Sequence, residues 1–271
     1  MTGRSSPVVV TLAVLLGLFL GLPVALLVGR AVVGGSLAVA LGSAAVIDAL
    51  ILSLITTAIS LAITIVVATP LAHVLARRRF RGASLVEALV DLPIVLPPSV
   101  AGLALLLTLG RRGVIGEPLA ELGIAIPFTT IAVIIAQVFV AAPFFIRAAR
   151  AGFQTVDRDL EDAARVDGAS ERQLTWAITI PLAAPALVAG IVMTWARALG
   201  EFGATIMFAG NVAGRTQTLP LVVYGEFQAG DVDASVAAAA ILVLAAFGVL
   251  VAVRGLRWGR ALDTRSANPA V

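Results

Sequence analysis

The chain has 271 residues, of which 60% are hydrophobic and 13% charged, and its mean hydropathy is +1.05. A soluble domain carries nearer a quarter charged residues, so this apolar excess points to a membrane protein. All 19 basic residues are arginine, and the missing lysine excludes a P-loop, which needs one at the phosphates. The chain has no cysteine and a single histidine, His73, so disulfides, thiolate sites and His-rich metal centres are excluded. No metal, cofactor or nucleic-acid partner is expected, because the high isoelectric point comes from arginines whose positions matter more than their sum.

A spanning helix needs about 20 apolar residues. Six charge-free stretches meet or approach this in chain order: Ser5–Gly29, Ala49–Ala76, Leu92–Gly110, Leu122–Ile146, Gln173–Ala196 and Ala234–Val253. The first lacks a clear small-residue cleavage site and reads as a retained span. A seventh stretch, Ala31–Ile47, is short and reads as an external apolar loop or interfacial segment. With six spans and both termini inside, 14 arginines face the cytoplasm and four (Arg30, Arg111, Arg112 and Arg215) face outward. That bias is what the positive-inside rule asks for. The chain then divides into a first span with its external segment (1–47), a core of five spans (48–253) and a cytoplasmic tail (254–271). His73, near the inner end of span two, reads as a packing or snorkelling residue rather than a proton carrier. Pro93, Pro97 and Pro98 interrupt span three, as a hinge, a path lining or a packing kink.

Between spans four and five lies a charged cytoplasmic segment, placed at 147–181. Asp157 or Asp159 can cap a first short helix, with Glu161 and Asp162 favourable in its first turn. Leu160, Ala163, Ala164 and Asp167 share one face at helical spacing, and the two alanines leave that face thin. Gly168 suits a left-handed helix end. Ser170 with Gln173 makes a capping box for a second helix, which Pro181 is expected to bend or end. The product is a stiff helix–glycine–helix elbow, or else an amphipathic connector lying on the bilayer.

Asp162-Ala163-Ala164, three residues, Gly168, nine residues and Ile178-Thr179-Ile180-Pro181 resemble the cytoplasmic signature of binding-protein-dependent ABC importer permeases. Two positions depart conservatively: Asp162 stands for glutamate and Ile180 for leucine. The resemblance implies a type I importer permease fold, all-α with six transmembrane helices. It also implies that Leu160, Asp162, Ala163, Ala164, Gly168, Ala169 and Pro181 couple to a separate ATP-binding subunit. By the same resemblance, two permease copies, two ATPase copies and an external binding protein form the transporter in the cytoplasmic membrane, and the permease itself is not an enzyme.

Arg197 and Glu201 are four apart on one helix face and can pair. At membrane depth such a pair either lines the path or joins helices. The run Arg197-Ala-Leu-Gly-Glu-Phe-Gly-Ala-Thr205, the following Ala-Gly-Asn211 and Arg215-Thr-Gln-Thr-Leu-Pro220 resemble the molybdate and tungstate branch of oxyanion permeases, as does Leu92–Gly102. Sulfate and thiosulfate permeases are the alternative. A tetrahedral oxyanion wants hydrogen-bond donors, for which Ser99, Thr205, Asn211 and Arg215 are candidates beside the Arg197–Glu201 pair. An intramembrane enzyme would need a nucleophile with a base, or paired carboxylates, and neither pattern is present.

Overall fold

The computed structural model describes residues 6–266, with side chains to residue 252. Arg4 and the side chains of Arg254, Arg257, Arg260 and Arg265 lie outside the described residues. Within a bilayer the backbone must satisfy its own polar groups, and long charge-free runs do so as helices. Four long helices carry these runs: α1 (Pro7–Val33), α3 (Ala44–Arg77), α7 (Thr130–Thr155) and α13 (Val232–Ser266). A fifth crossing is continuous from Glu171 to Leu199 and comprises α9 (Glu171–Leu174), a π-helical turn (Thr175–Thr179) and α10 (Ile180–Leu199). The sixth is the bent pair α4 (Ala83–Val95) and α5 (Pro98–Leu109), whose axes turn by 117°.

Short helices fill the connections. They are α2 (Ser36–Leu41), α6 (Gly116–Glu121), α8 (Arg158–Val166), α11 (Gly203–Phe208) and α12 (Leu219–Gln228). The stretch Ala31–Ile47 thus holds the end of α1, a six-residue helix and the start of α3, and α2 is too short to cross a bilayer. Gly35, with φ +73°, makes the turn into α2.

The centre of the molecule is α7 packed between α3 and α10. Small residues set that approach. A Cβ on Gly152 would lie 2.6 Å from Ala186 Cβ, and one on Gly190 would lie 2.9 Å from Ala148 Cβ, so only glycine fits at either place. Phe145, Phe153, Ala72 and Ala149 fill the core near the α3 C-terminus. Ala101, Ala132, Ala136 and Phe208 fill a second cluster around α5, α7 and α11. Of α1, only Ala31 is buried, so the helix presents an apolar surface suited to lipid.

The break expected in span three is present: Pro93 is carried inside α4, and the chain turns at Leu96-Pro97, where Pro98 starts α5 in a new direction. Other expectations need correction. Span four starts at Thr130, not Leu122. Pro127 biases the preceding residue away from helix, Phe128 holds φ +60°, and the Thr129 side chain accepts from the Ala132 N–H to cap the start. The same helix runs on to Thr155, and within it Arg147 pairs with Asp91 and Arg150 with Glu87 of α4 at 2.7 and 2.8 Å. Arg147 and Arg150 therefore belong to a helix, and the segment between the crossings is shorter than 147–181. Finally, Pro181 neither ends nor sharply breaks its helix. The turn before it widens, and the Ile180 N–H reaches the carbonyl of Thr175, five residues back.

Candidate functional site: the elbow and the buried ion pairs

The elbow forms as its sequence dictates. The Asp157 carboxylate caps α8 by accepting from the Asp159 N–H at 3.0 Å. At the far end Gly168 takes φ +89°, and the Ala169 N–H bonds to the Ala164 carbonyl while Gly168 N–H bonds to that of Arg165. These two bonds make a Schellman close. Ser170 and Gln173 then cap each other's backbone in a reciprocal box. Arg165 bridges the bend by pairing with Glu171 at 2.7 Å and Asp162 at 2.6 Å, contacts that push its pKa further up, Glu171 contributing most.

The outward face of α8 carries Leu160 (53% exposed), with Asp162 and Ala163 also exposed and Ala164 and Ala169 half-buried. Pro181 is exposed at the base of the following crossing. A half-exposed leucine thus lies beside two alanines and a glycine turn.

The inward face holds a contact that the sequence reading missed. Glu161 is 4% exposed. Its Oε1 receives Arg77 Nη2 at 2.7 Å and the Thr179 hydroxyl at 2.8 Å. Arg77 also donates twice to the Val156 carbonyl at 3.1 Å. One carboxylate and one guanidinium thus knot together the end of α3, the end of α7, the elbow helix and the π-helical turn. The sequence marks Glu161 only as a favourable first-turn charge, since its partner lies 84 residues away.

A second buried pair is the expected one. Arg197 Nη1 lies 2.6 Å from Glu201 Oε2, and the Glu201 side chain is 1% exposed. The other oxygen, Oε1, accepts from the Ala204 N–H at 2.7 Å and so caps α11. Thr205, one residue on, is fully buried, and its hydroxyl has no partner among the described residues. Ser99 sits on the first turn of α5 against this segment: a Cβ on Gly203 would lie 2.6 Å from Pro98 Cβ and 3.2 Å from Ser99 N. Asn211 and Arg215 fall on an exposed stretch beyond α11, and the Arg215 carbonyl accepts from Thr130. The structure therefore brings Ser99, Arg197, Glu201 and Thr205 to one region and leaves Asn211 and Arg215 outside it.

Deeper in the bundle, Gln137 of α7 donates to Thr57 Oγ1 at 3.3 Å and to the Ala198 carbonyl at 3.2 Å. This amide ties α3, α7 and α10 one turn from Glu201. A lone glutamine in span four was the available signal. His73 stacks edge-on to Phe153, with ring centroids 5.3 Å apart, as a packing residue does.

The two ends of α3 separate the polar contacts. Arg77 at its C-terminus meets the elbow, while Ser53 near its N-terminus accepts from the Leu219 N–H of the segment after α11. A helical bundle with a bent third crossing and a capped elbow before the fifth defines an importer permease. Similar folds occur in the crystal structure of a bacterial ABC transporter involved in import of the acidic polysaccharide alginate (TM-score 0.65, 19% identity, 79% of each chain). Another is the inward-facing MetNI methionine ABC transporter (TM-score 0.61, 20% identity, 78% of this chain and 94% of that one).

The chain belongs to the binding-protein-dependent transport system inner membrane component family, whose profile matches residues 68–258. It is 44% identical over 194 residues to the molybdenum transport system permease protein of Mycobacterium tuberculosis, covering 72% of this chain and 73% of that one. It is 42% identical over 172 residues to the permease protein NifC of Clostridium pasteurianum, covering 64% of this chain and 60% of the relative's length. The sulfate transport system permease protein CysT of Escherichia coli is 36% identical over 191 residues, covering 70% of this chain and 69% of that one.

Proposed function

We propose that this chain is the translocating subunit of an ATP-driven molybdate importer, with both termini in the cytoplasm. The supporting observation is the elbow. An exposed Leu160–Ala163–Ala164 face, closed by Gly168 and bolted to the bundle through Glu161, offers a rigid handle to a separate ATPase subunit. The chain has no lysine for a P-loop of its own, so nucleotide work falls to that partner. An external binding protein delivers the oxyanion, and a second copy of the chain completes the path. Closure of the ATPase pair moves the elbow and shifts the bundle between two arrangements.

Molybdate is favoured over sulfate because the molybdenum permease is the more similar relative and the Arg197–Arg215 region resembles that branch. Ser99, Arg197, Glu201 and Thr205 are assigned to the path or its gate. Asn211 and Arg215 are assigned to its outer approach. The test is uptake of radiolabelled molybdate in cells expressing the chain with its ATPase and binding protein, with tungstate and sulfate as competitors. Molybdate uptake that tungstate blocks and sulfate does not supports the reading. Sulfate uptake in its place makes the chain a sulfate permease.

A further inference from the structure

An open cavity of about 900 Å³ lies beside the elbow. It is formed by the end of α3, the connector to α4, the first turns of α4, the end of α7 and the start of α8. That volume lies within the ~300–1,000 Å³ range of ligand sites. Five guanidinium groups line it: Arg77, Arg78, Arg79, Arg150 and Arg158.

The facing carboxylates are Glu87 and Asp157. Glu87 is taken by Arg150 at 2.8 Å, Arg77 by Glu161, and Asp157 caps α8. Arg78, Arg79 and Arg158 have no carboxylate partner among the described residues. Three forked donors outside any ion pair around one hollow suit an oxyanion with several acceptor atoms, above all a phosphate, although Arg78 and Arg158 also face Glu161, Asp162 and Glu171 across a neighbouring hollow.

Apolar groups continue from the same hollow. Leu75, Phe80 and Ala83 line it beside the guanidinium groups. A hollow with guanidinium groups on one wall and Leu75, Phe80 and Ala83 on another fits a molecule with a phosphate joined to an apolar part. Basic pockets between membrane helices on the cytoplasmic side hold acidic lipid headgroups for this reason.

We propose that this cavity is a binding site for the phosphate headgroup of an acidic phospholipid of the inner leaflet, held by Arg78, Arg79 and Arg158. The site rests on the cytoplasmic placement of the elbow argued above. A bound lipid would brace the α3–α4 connector against the elbow next to the Arg77–Glu161 knot.

The experiment uses the permease–ATPase complex extracted from bilayers of equal phosphatidylglycerol and phosphatidylcholine, with retained lipid read by native mass spectrometry. The complex should enrich phosphatidylglycerol. Each of Arg79→Gln and Arg158→Gln should cut that enrichment about fivefold, one surface arginine's worth of attraction to acidic lipid. Arg111→Gln/Arg112→Gln, on the opposite side, should leave it unchanged. Equal retention of the two lipids, or equal loss in the Arg111/Arg112 control, overturns the proposal. A second arm adds inorganic phosphate to complex from phosphatidylcholine alone. Arginine-dependent phosphate binding without phosphatidylglycerol enrichment would make this a soluble-anion site and overturn the lipid assignment.

The chain has no natural cysteine, so Arg81→Cys gives a single label. Labelling from the cytoplasmic side upholds the orientation whatever the lipid result. Labelling from outside overturns the orientation, and the lipid site with it.

Discussion

Two buried carboxylates, Glu161 and Glu201, each meet one arginine at 2.7 and 2.6 Å, yet they do different work. Glu201 pairs within its own segment, four residues from Arg197, and its second oxygen caps a short neighbouring helix. Glu161 pairs with a residue 84 positions away and gathers four elements. The first is a local stiffener. The second is a joint, beside the face proposed above to dock the ATPase subunit. The elbow is therefore fixed to α3 as well as to the crossing that follows it, so movement at the proposed docking face would reach two core helices at once.

That contrast can be broken from the Glu161 side with the largest effect. Glu161→Ala leaves the Arg77 guanidinium 11% exposed and without its partner, a change that typically costs about 3–5 kcal/mol. Thermal unfolding of the detergent-solubilised complex should show a large drop in midpoint. The double variant Arg77→Met/Glu161→Leu should recover much of that stability while uptake stays low and the ATPase keeps turning over. Full uptake in the double variant would reduce the joint to a packing contact.

Arg197→Ala should come next. It strands a 1% exposed carboxylate that keeps only its bond to Ala204, and should be less stable than Arg197→Ala/Glu201→Ala, which loses a helix cap worth about 1 kcal/mol but buries no unpaired charge. Chemical unfolding of both variants decides it, and a double variant no more stable than the single would show that the two groups do not act as a pair.

Gly168→Asp should cost less stability, about 1 kcal/mol for a side chain at φ +89°, yet abolish uptake, because it sets a charge on the docking face. Its membrane level should stay near wild type on a quantitative blot, and normal uptake would detach this turn from coupling. The smallest effect is expected from Ser170→Ala, about 1 kcal/mol from the loss of an exposed cap, with uptake only slightly reduced in a transport assay.

Legibility in the sequence followed range. The Asp157 cap, the Gly168 turn, the Ser170–Gln173 box and the Arg197–Glu201 pair were all readable, because each is settled within four residues by helix geometry. The number of crossings was readable because apolar length is a sum over a window. Arg77–Glu161 was not, since nothing local marks two charges that meet only after α3 and α7 have packed. The turn at Leu96-Pro97 was underestimated for a related reason. Proline announces a break, but the 117° change of direction depends on Gly102 and Gly203 letting α5 lie against α11. Short α11 and α12 went unread because stretches of six and ten residues look like loop until tertiary contacts bury them.

The widened turn at Thr175–Thr179 fixes how the elbow is clocked about the fifth crossing. Each residue of an α-helix advances the chain by about 100° around its axis. Deleting one residue there would restore ordinary winding and swing the Leu160–Ala163 face through roughly that angle. A single residue of slack ahead of Pro181 thus sets which way the handle points. A chain that gained or lost it would turn a different side of the elbow outward while keeping every side chain of the elbow intact.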